Sequence, residues 1–482
     1  MAASAGLFLY GVNWYYFVWR WRKGRAAPPS ARRALTSHPV VTVQLPVYDE
    51  RYVAQRLIEA VARFDWPQDR LEIQVLDDSD DDTTEIIAKA GSALRSRGFD
   101  VQHLRRGTRE GYKAGALKHG LEHAKGEFIA VFDCDFLPPA DFLTRAMPEF
   151  EDPRVGLVQA RWEHLNRTYS RLTGAQALGI DGHFAVEQEV RFRAGFLLNF
   201  NGTAGVFRRA CIEDAGGWSG DTLAEDLDLS YRAQLRGWRF VYRKDIACPA
   251  ELPAQIQAFK RQQFRWAKGS IQVWRKLSAR VRHSRLSLAQ RVQAQLHLSL
   301  YMVHPLMLLC FLLLPPVLLL GNVNPLIPAV FATASLGPGS IYVAAQMDFA
   351  PRNWRSRLLL LPYLTLLGVG QCLNNTIAVV EGLIGRKSPF LRTPKFGIEG
   401  SAGDWRGSRY ALRLSGVTVG EWLLVAYGLV SGFLLLSTVN WWFLFWVGLY
   451  TVSFGLVAGL SLLHSRAPTR PRRGRVEDAR TA

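Results

Sequence analysis

The chain has 482 residues, 49% hydrophobic and 21% charged, with Lys+Arg exceeding Asp+Glu by 59 to 41 for a net charge of +18. Apolar content at that level excludes a disordered chain, and the length allows two or three domains. Nearly all long apolar runs fall before residue 20 or after residue 295, which excludes a simple soluble enzyme.

The positive charge crowds the edges of those runs: Arg20, Arg22, Lys23 and Arg25, then Arg386, Lys387, Arg392 and Lys395, then Arg466, Arg470, Arg472, Arg473 and Arg475. Basic flanks of this kind mark the cytoplasmic ends of membrane spans. A nucleic-acid surface would need a basic stripe with stacking aromatics, so no nucleic-acid partner is expected. Cys134, Cys211, Cys248, Cys310 and Cys372 lack CxxC spacing, which argues against zinc and against a disulfide framework.

In chain order, the apolar segment Leu7–Trp19 has no small-residue cleavage signal and ends in Arg20-Trp21-Arg22-Lys23. It reads as a retained anchor over residues 1–23, its N-terminus outside. After a polar linker (24–39) comes a β/α alternation: a strand Val40–Leu45 stopped by Pro46, a helix Glu50–Phe64 and a strand Glu72–Leu76. A helix Asp82–Arg97, a strand Val101–Leu104, a helix Tyr112–Ala124 and a strand Glu127–Phe132 follow. Such alternation predicts an α/β fold, a doubly wound and mostly parallel sheet whose ligands bind beyond the strands' carboxyl ends. Residues 256–277 place Ile256, Phe259, Trp266, Trp274 and Leu277 on one side of a helix. Arg261, Arg265, Lys268, Gln272 and Arg275 fall opposite, as in an interfacial helix or one packed on the soluble domain.

Apolar runs at 296–320, 325–346, 358–384, 419–437 and 440–463 each reach the ~20 residues of a span. The basic loop 385–413 belongs in the cytoplasm, so 358–384, holding Gln371, Asn374, Asn375 and Glu381, is expected to lie at the interface or re-enter. The expectation is five spans and one interfacial segment. The chain divides into the anchor, a cytosolic domain with interfacial helices (38–290), an α-helical transmembrane region (291–465) carrying the loop 385–413, and a basic cytosolic tail (466–482).

Two strand ends carry paired acids. Asp133 and Asp135, one residue apart, can offer oxygen ligands to Mg²⁺ or Mn²⁺, with a bound diphosphate completing the shell. Asp77 and Asp78 can accept hydrogen bonds from a ribose or base, while the acids that follow cap a helix. In Glu225-Asp226 a carboxylate near the sugar carbon can serve as general base, although acidic helix starts are commonly only caps. Gln262 and Arg265 are neighbours on a helix; Arg265 can stabilise a leaving diphosphate and Trp266 offers a flat face to a sugar ring.

These four motifs, in this order, resemble those of the membrane-embedded, inverting family-two glycosyltransferases: the cellulose, chitin and hyaluronan synthases and their relatives. The stretches Gln44–Glu50, Gln74–Ser79, Gly111–Leu117, His183–Gln188, Phe200–Val206 and Gly385–Lys395 are similar to the cellulose synthase-like mannan and glucan synthases of plants and their bacterial relatives. Ala224 stands where that family usually has Thr before Glu-Asp, and cyclic-dinucleotide control is not expected.

The resemblance implies a GT-A-type fold and a processive, metal-dependent hexosyltransferase. It would use UDP-glucose or GDP-mannose to extend and secrete a β-linked polysaccharide such as a (1→4)-β-glucan or mannan. The alternative is transfer of one sugar to a membrane lipid: diacylglycerol, ceramide or polyprenyl phosphate. It further implies that Asp78 contacts the nucleotide with Asp77 beside it, and that Lys113 lies near the diphosphate. Asp133 and Asp135 would hold donor and metal, and Asp226, paired with Glu225, would be the base. Gln262, Arg265 and Trp266 would hold the diphosphate and the acceptor end, while Asn201-Gly202-Thr203 would line the acceptor site. Arg392, Thr393 and Lys395 would form a lid over bound donor. Its partners would be the donor, the glycan or lipid acceptor, the inner or plasma membrane and accessory secretion proteins. Asn322, Asn324, Gln346 and Asn374 are candidates for lining an export route.

Overall fold

A computed structural model describes residues 2–24, 37–320, 335–436 and 441–466. Its centre is a seven-stranded sheet in the order β3-β2-β1-β4-β6-β5-β7. The strands are β1 Val41–Val47, β2 Leu71–Asp77, β3 Asp100–Arg105, β4 Phe128–Val131, β5 Val155–His164, β6 Gly205–Arg208 and β7 Arg239–Ala250. The pairings β1/β2, β1/β4, β2/β3 and β5/β7 are parallel, and only β6 runs antiparallel to its neighbours β4 and β5. The mostly parallel sheet expected from the sequence is therefore present, and strand direction reverses at β6.

Apolar strands such as β1 and β2 are buried on both faces, as a sheet covered by helices requires. Val43, Leu45, Ile58, Ile73 and Phe132 belong to the core on one face; Leu76, Leu117, Ile129 and Phe207 belong to that on the other. Pro46 does not stop β1, which continues to Val47. The Gln44 carbonyl accepts from Phe132 on the β4 side, whereas the Val47 carbonyl accepts from Asp78 on the β2 side. Pro46, two residues beyond Gln44, faces the β4 side past the end of that strand, where no ladder N–H is needed.

The long helix Ile256–Arg282 leads from the sheet domain into the apolar region. Its basic side is only partly solvated: Arg275 is exposed, but Lys268 is buried. Lys260 and Lys268 are buried, pairing with Glu421 at 2.5 Å and Glu381 at 2.6 Å, both from C-terminal helices. The helix is thus sandwiched between sheet domain and C-terminal helices.

Among the described residues three helical stretches are long and apolar enough to cross a membrane: Leu300–Leu319, Val417–Leu435 and Phe443–Ser465. The segment expected to re-enter forms a broken pair, Trp354–Gly370 and Cys372–Ile384, bent by 44° at Gln371, and as one unit would be a fourth. The N-terminal helix Ala2–Gly24 is long enough but falls short in hydropathy, because Asn13, three tryptophans and two adjacent tyrosines dilute it. Instead it packs through Phe17, Val18 and Trp21 on Val186, Ile341 and Ala345. The expected span 325–346 lies partly outside the described residues; Gly337–Phe349 is helical. Asn322, Asn324 and the tail after Arg466 also lie outside them.

Candidate active site

Parallel strands deliver their carboxyl ends to one edge of the sheet, and the cavity there is lined by residues from every motif singled out in the sequence. Glu50 follows β1, Asp78 follows β2, and Asp133, Cys134 and Asp135 follow β4. Lys113 comes from the helix Tyr112–His123, and Glu225 and Asp226 from the first turn of the helix Glu225–Leu235. Gln262, Arg265 and Trp266 come from the long helix, and Arg392, Thr393 and Lys395 from the basic loop.

Neighbouring residues at a strand end face opposite ways, and this separates Asp77 from Asp78. Asp78 lines the cavity and is held by both prongs of Arg106, at 2.8 and 2.6 Å. Asp77 is buried outside the lining, accepting from the Ser79 N–H and meeting His103 Nε2, both at 2.9 Å. The expectation that Asp77 touches the nucleotide is therefore corrected: it braces the turn that presents Asp78. Arg106 itself was missed in the sequence, where only acids were weighed at strand ends.

Each carboxylate of Asp133-x-Asp135 faces a lysine. Lys113 Nζ donates to Asp133 and, at 2.8 Å, to the Gly202 carbonyl. Burial pulls the Lys113 pKa down, but Asp133, Glu225 and Asp226 around it outweigh this and raise it, so the side chain stays cationic. Lys395 Nζ lies 2.7 Å from Asp135 Oδ2. Thr203, expected at the acceptor site, is fully buried outside the lining; its Oγ1 accepts from the Asp133 N–H at 2.9 Å and fixes the acidic turn. Asn201 and Gly202 do line the cavity. Gly202 has φ +82°, and a Cβ there would stand 3.0 Å from Asp226 Oδ2, so both the backbone and the close approach call for glycine.

Burial, then repulsion from Glu225, pushes the Asp226 carboxyl up to about 7 against the pull of Lys113, the Leu227 N–H and Arg265. A carboxyl so placed can exchange a proton near neutrality. The Arg265 guanidinium lies over the Phe390 ring at 4.5 Å, and its Nε is buried without a hydrogen-bond partner among the described residues. That is a cation held ready for an anion.

The basic loop is docked across this edge. Glu251, at the end of β7, accepts from the Phe396 and Gly397 N–H groups at 2.8 Å, and Arg392 pairs with Glu50 at 3.2 Å. Burial pushes the Glu50 carboxyl up to about 8 despite Arg392. Neither Glu50 nor Glu251 was weighed from the sequence, because nothing local marks either as an anchor for a loop more than 100 residues away.

Behind the catalytic cavity lies a second one of about 460 Å³, within the ~300–1,000 Å³ range of small-ligand pockets. Asn201, Asp226, Gln262 and Trp266 are walls of both. The second runs among Tyr301, His304, Tyr342, Leu364, Gln371 and Asn375 of the apolar helices. Gln371, at the helix bend, is buried with neither amide atom partnered among the described residues, and the same holds for His304 Nδ1. The export-route candidates differ from these: Gln346 donates to Asp181 at 2.8 Å and Asn374 to the Lys260 carbonyl at 3.1 Å, and neither lines the cavity.

The described residues hold no cluster of three or more His, Cys, Asp or Glu suited to a metal. Asp133 and Asp135 nonetheless fit a hard cation, since Mg²⁺-type sites commonly take one or two carboxylates and complete the shell with substrate phosphates and water.

Residues 42–213 match the family described as "Glycosyl transferase family 2", and residues 128–325 match "Glycosyl transferase family group 2". Glucomannan 4-beta-mannosyltransferase 2 of Arabidopsis thaliana is 44% identical over 247 residues, 50% of this chain and 46% of its own length. Glucomannan 4-beta-mannosyltransferase 1 of Oryza sativa subsp. japonica is 42% identical over 247 residues, 50% of this chain and 47% of its own. The matched region thus spans about half the length of these relatives. Among solved structures, the mannosyltransferase PcManGT from Pyrobaculum calidifontis, in complex with GDP-Man and Mn²⁺, is similar with a TM-score of 0.52 and 21% identity. The match covers 80% of this chain and 99% of that one, and it shows a shared GT-A-like fold.

Proposed function

Because the chain belongs to glycosyltransferase family 2, in the cellulose synthase-like branch, we propose that it is a membrane-bound, inverting β-glycosyltransferase that elongates and exports a polysaccharide. The donor is a nucleotide sugar, GDP-mannose or UDP-glucose, and the product a β-linked mannan or glucan. Relatives named as glucomannan mannosyltransferases support this choice. The observation that carries it is the shared wall of the two cavities: a glycan end beside Asp226 has, directly behind it among the apolar helices, a mostly apolar cavity set with a few polar side chains.

Asp78, clamped by Arg106, receives the nucleoside. Lys113 and Arg265 lie against the diphosphate, and the charge growing on it in the transition state meets cations already fixed in place. Asp226 takes the acceptor hydroxyl's proton as that oxygen attacks the anomeric carbon opposite the leaving group, so an α-linked donor gives a β-linked product. Asp133 and Asp135 would hold Mg²⁺ or Mn²⁺, which when bound would supply further positive charge against the diphosphate. Trp266 and Gln262 hold the acceptor end, and Arg392, Thr393 and Lys395 close the donor side to water.

Membranes containing the chain, given labelled GDP-mannose or UDP-glucose, should yield insoluble label released by β-mannanase or β-glucanase. Label that is soluble in chloroform would instead identify a single-sugar lipid transferase.

A further inference from the structure

The helix Arg171–Gly182 passes through a wide π-helical turn, His183–Glu187, before resuming as Gln188–Arg193. Such turns widen a helix at the cost of regular geometry and often sit at functional sites. Here the turn sets His183 and Glu187 facing each other, with His183 Nδ1 2.8 Å from Glu187 Oε2. Glu187 is buried and in turn accepts from Arg191 at 3.0 Å. The other ring nitrogen, His183 Nε2, reaches Asn201 Oδ1 at 3.0 Å.

Asn201 Oδ1 also accepts from Asn199 Nδ2 at 2.8 Å, and the Asn201 backbone N–H donates to Gln159 Oε1 at 3.0 Å. An ionised Glu187 can only accept, so His183 Nδ1 carries a proton, and Nε2 donates to Asn201 Oδ1 when the ring is an imidazolium; that donor and Asn199 Nδ2 together fix which way the amide points. The remaining end, Asn201 Nδ2, is buried without a partner among the described residues, on the wall shared by the catalytic cavity and the one behind it. The next residue, Gly202, is the one pressed against Asp226.

We propose that Glu187 and His183 form a positioning relay that locks the Asn201 amide so that its N–H donates to a hydroxyl of the acceptor's terminal sugar, orienting that sugar toward Asp226. The inference rests on the transferase reading and adds to it two residues that do not touch the donor. A buried donor left unmet is destabilising, and a sugar hydroxyl meets it at the point every elongation step must pass.

The test uses the full chain in detergent with GDP-mannose and β-(1→4)-mannotetraose, or UDP-glucose and cellotetraose, whichever pair the unaltered protein turns over. His183→Phe should raise the acceptor KM about ten-fold, the weight of one hydrogen bond, with a much smaller fall in kcat and an unchanged donor KM. His183→Gln, which keeps a donor for Asn201, should recover most of the loss. Asn199→Ala removes the second anchor from outside the helix and should raise the acceptor KM about three-fold, about half a hydrogen bond's worth, which keeps the test open if His183→Phe does not fold. An unchanged acceptor KM, or donor and acceptor parameters falling together, overturns the relay alone. An unaltered protein that releases no nucleotide from any donor overturns the transferase reading, and the relay with it.

Discussion

The two ends of the active site differ in how most of their polar groups are satisfied, although Arg265 Nε and Thr393 Oγ1 on the donor side also lack partners among the described residues. On the donor side Asp78 is clamped by Arg106, Asp133 faces Lys113, and Asp135 faces Lys395. On the acceptor side Gln371, His304 Nδ1, Asn199 Oδ1 and Asn201 Nδ2 are buried without partners among the described residues. Fixed charges in pairs suit a small, highly charged ligand whose phosphates must be met at set positions. Unpaired neutral donors and acceptors suit hydroxyls that arrive, bind and move on, because a full set of strong bonds would hold a growing chain in place.

The largest effect should come from the residue where the two ends meet. Asp226→Asn removes the base while keeping shape, and transfer should fall by roughly 10²–10⁴, measured as nucleotide release. The same carboxyl sets the pH dependence. Its pKa is raised to about 7, so the ionised, proton-accepting form is lost as pH falls through that value. kcat/KM should therefore rise with pH through about 7, whereas a flat profile from pH 5 to 8 would separate Asp226 from the proton transfer.

Next in size, Asp135→Asn should weaken donor binding measured with GDP or UDP and Mn²⁺, by about ten-fold or more for loss of a charged ligand. It should leave acceptor affinity nearly unchanged. Equal losses on both sides would erase the distinction between the two ends.

The smallest effect belongs to the passage. Gln371→Leu replaces two unpartnered amide atoms with an apolar side chain, so the thermal unfolding midpoint should hold or rise. Product chains should become shorter by a few-fold, about one to two hydrogen bonds' worth of lost contact. A drop in stability would mean that Gln371 serves the fold and not the glycan.

Much of the donor side was legible in the sequence, because strand periodicity places Asp78 and Asp133 at carboxyl ends and short spacing keeps the acids visible. Whether Asp77 or Asp78 enters the cavity depends on which face of β2 each takes, and a pair of adjacent acids does not reveal that. Thr203 was read with its neighbours as a wall when it is a brace beneath Asp133. The long helix was read as interfacial or packed on the soluble domain, and its burial against C-terminal helices was not legible because Glu381 and Glu421, which pair with Lys268 and Lys260, lie more than 100 residues away. For the same reason Gln346 and Asn374, named with Asn322 and Asn324 as candidates for the route, were not seen to spend their amides in packing, while both amide atoms of Gln371 lack partners among the described residues.

The joined cavities are tested most directly by where the product goes. Proteoliposomes with the sheet domain facing outward, supplied with labelled donor, should accumulate glycan that resists added β-mannanase or β-glucanase until detergent opens the vesicle. Glycan digested at once from the outside, or label extracted with the lipid, would contradict a route from Asp226 through the apolar helices.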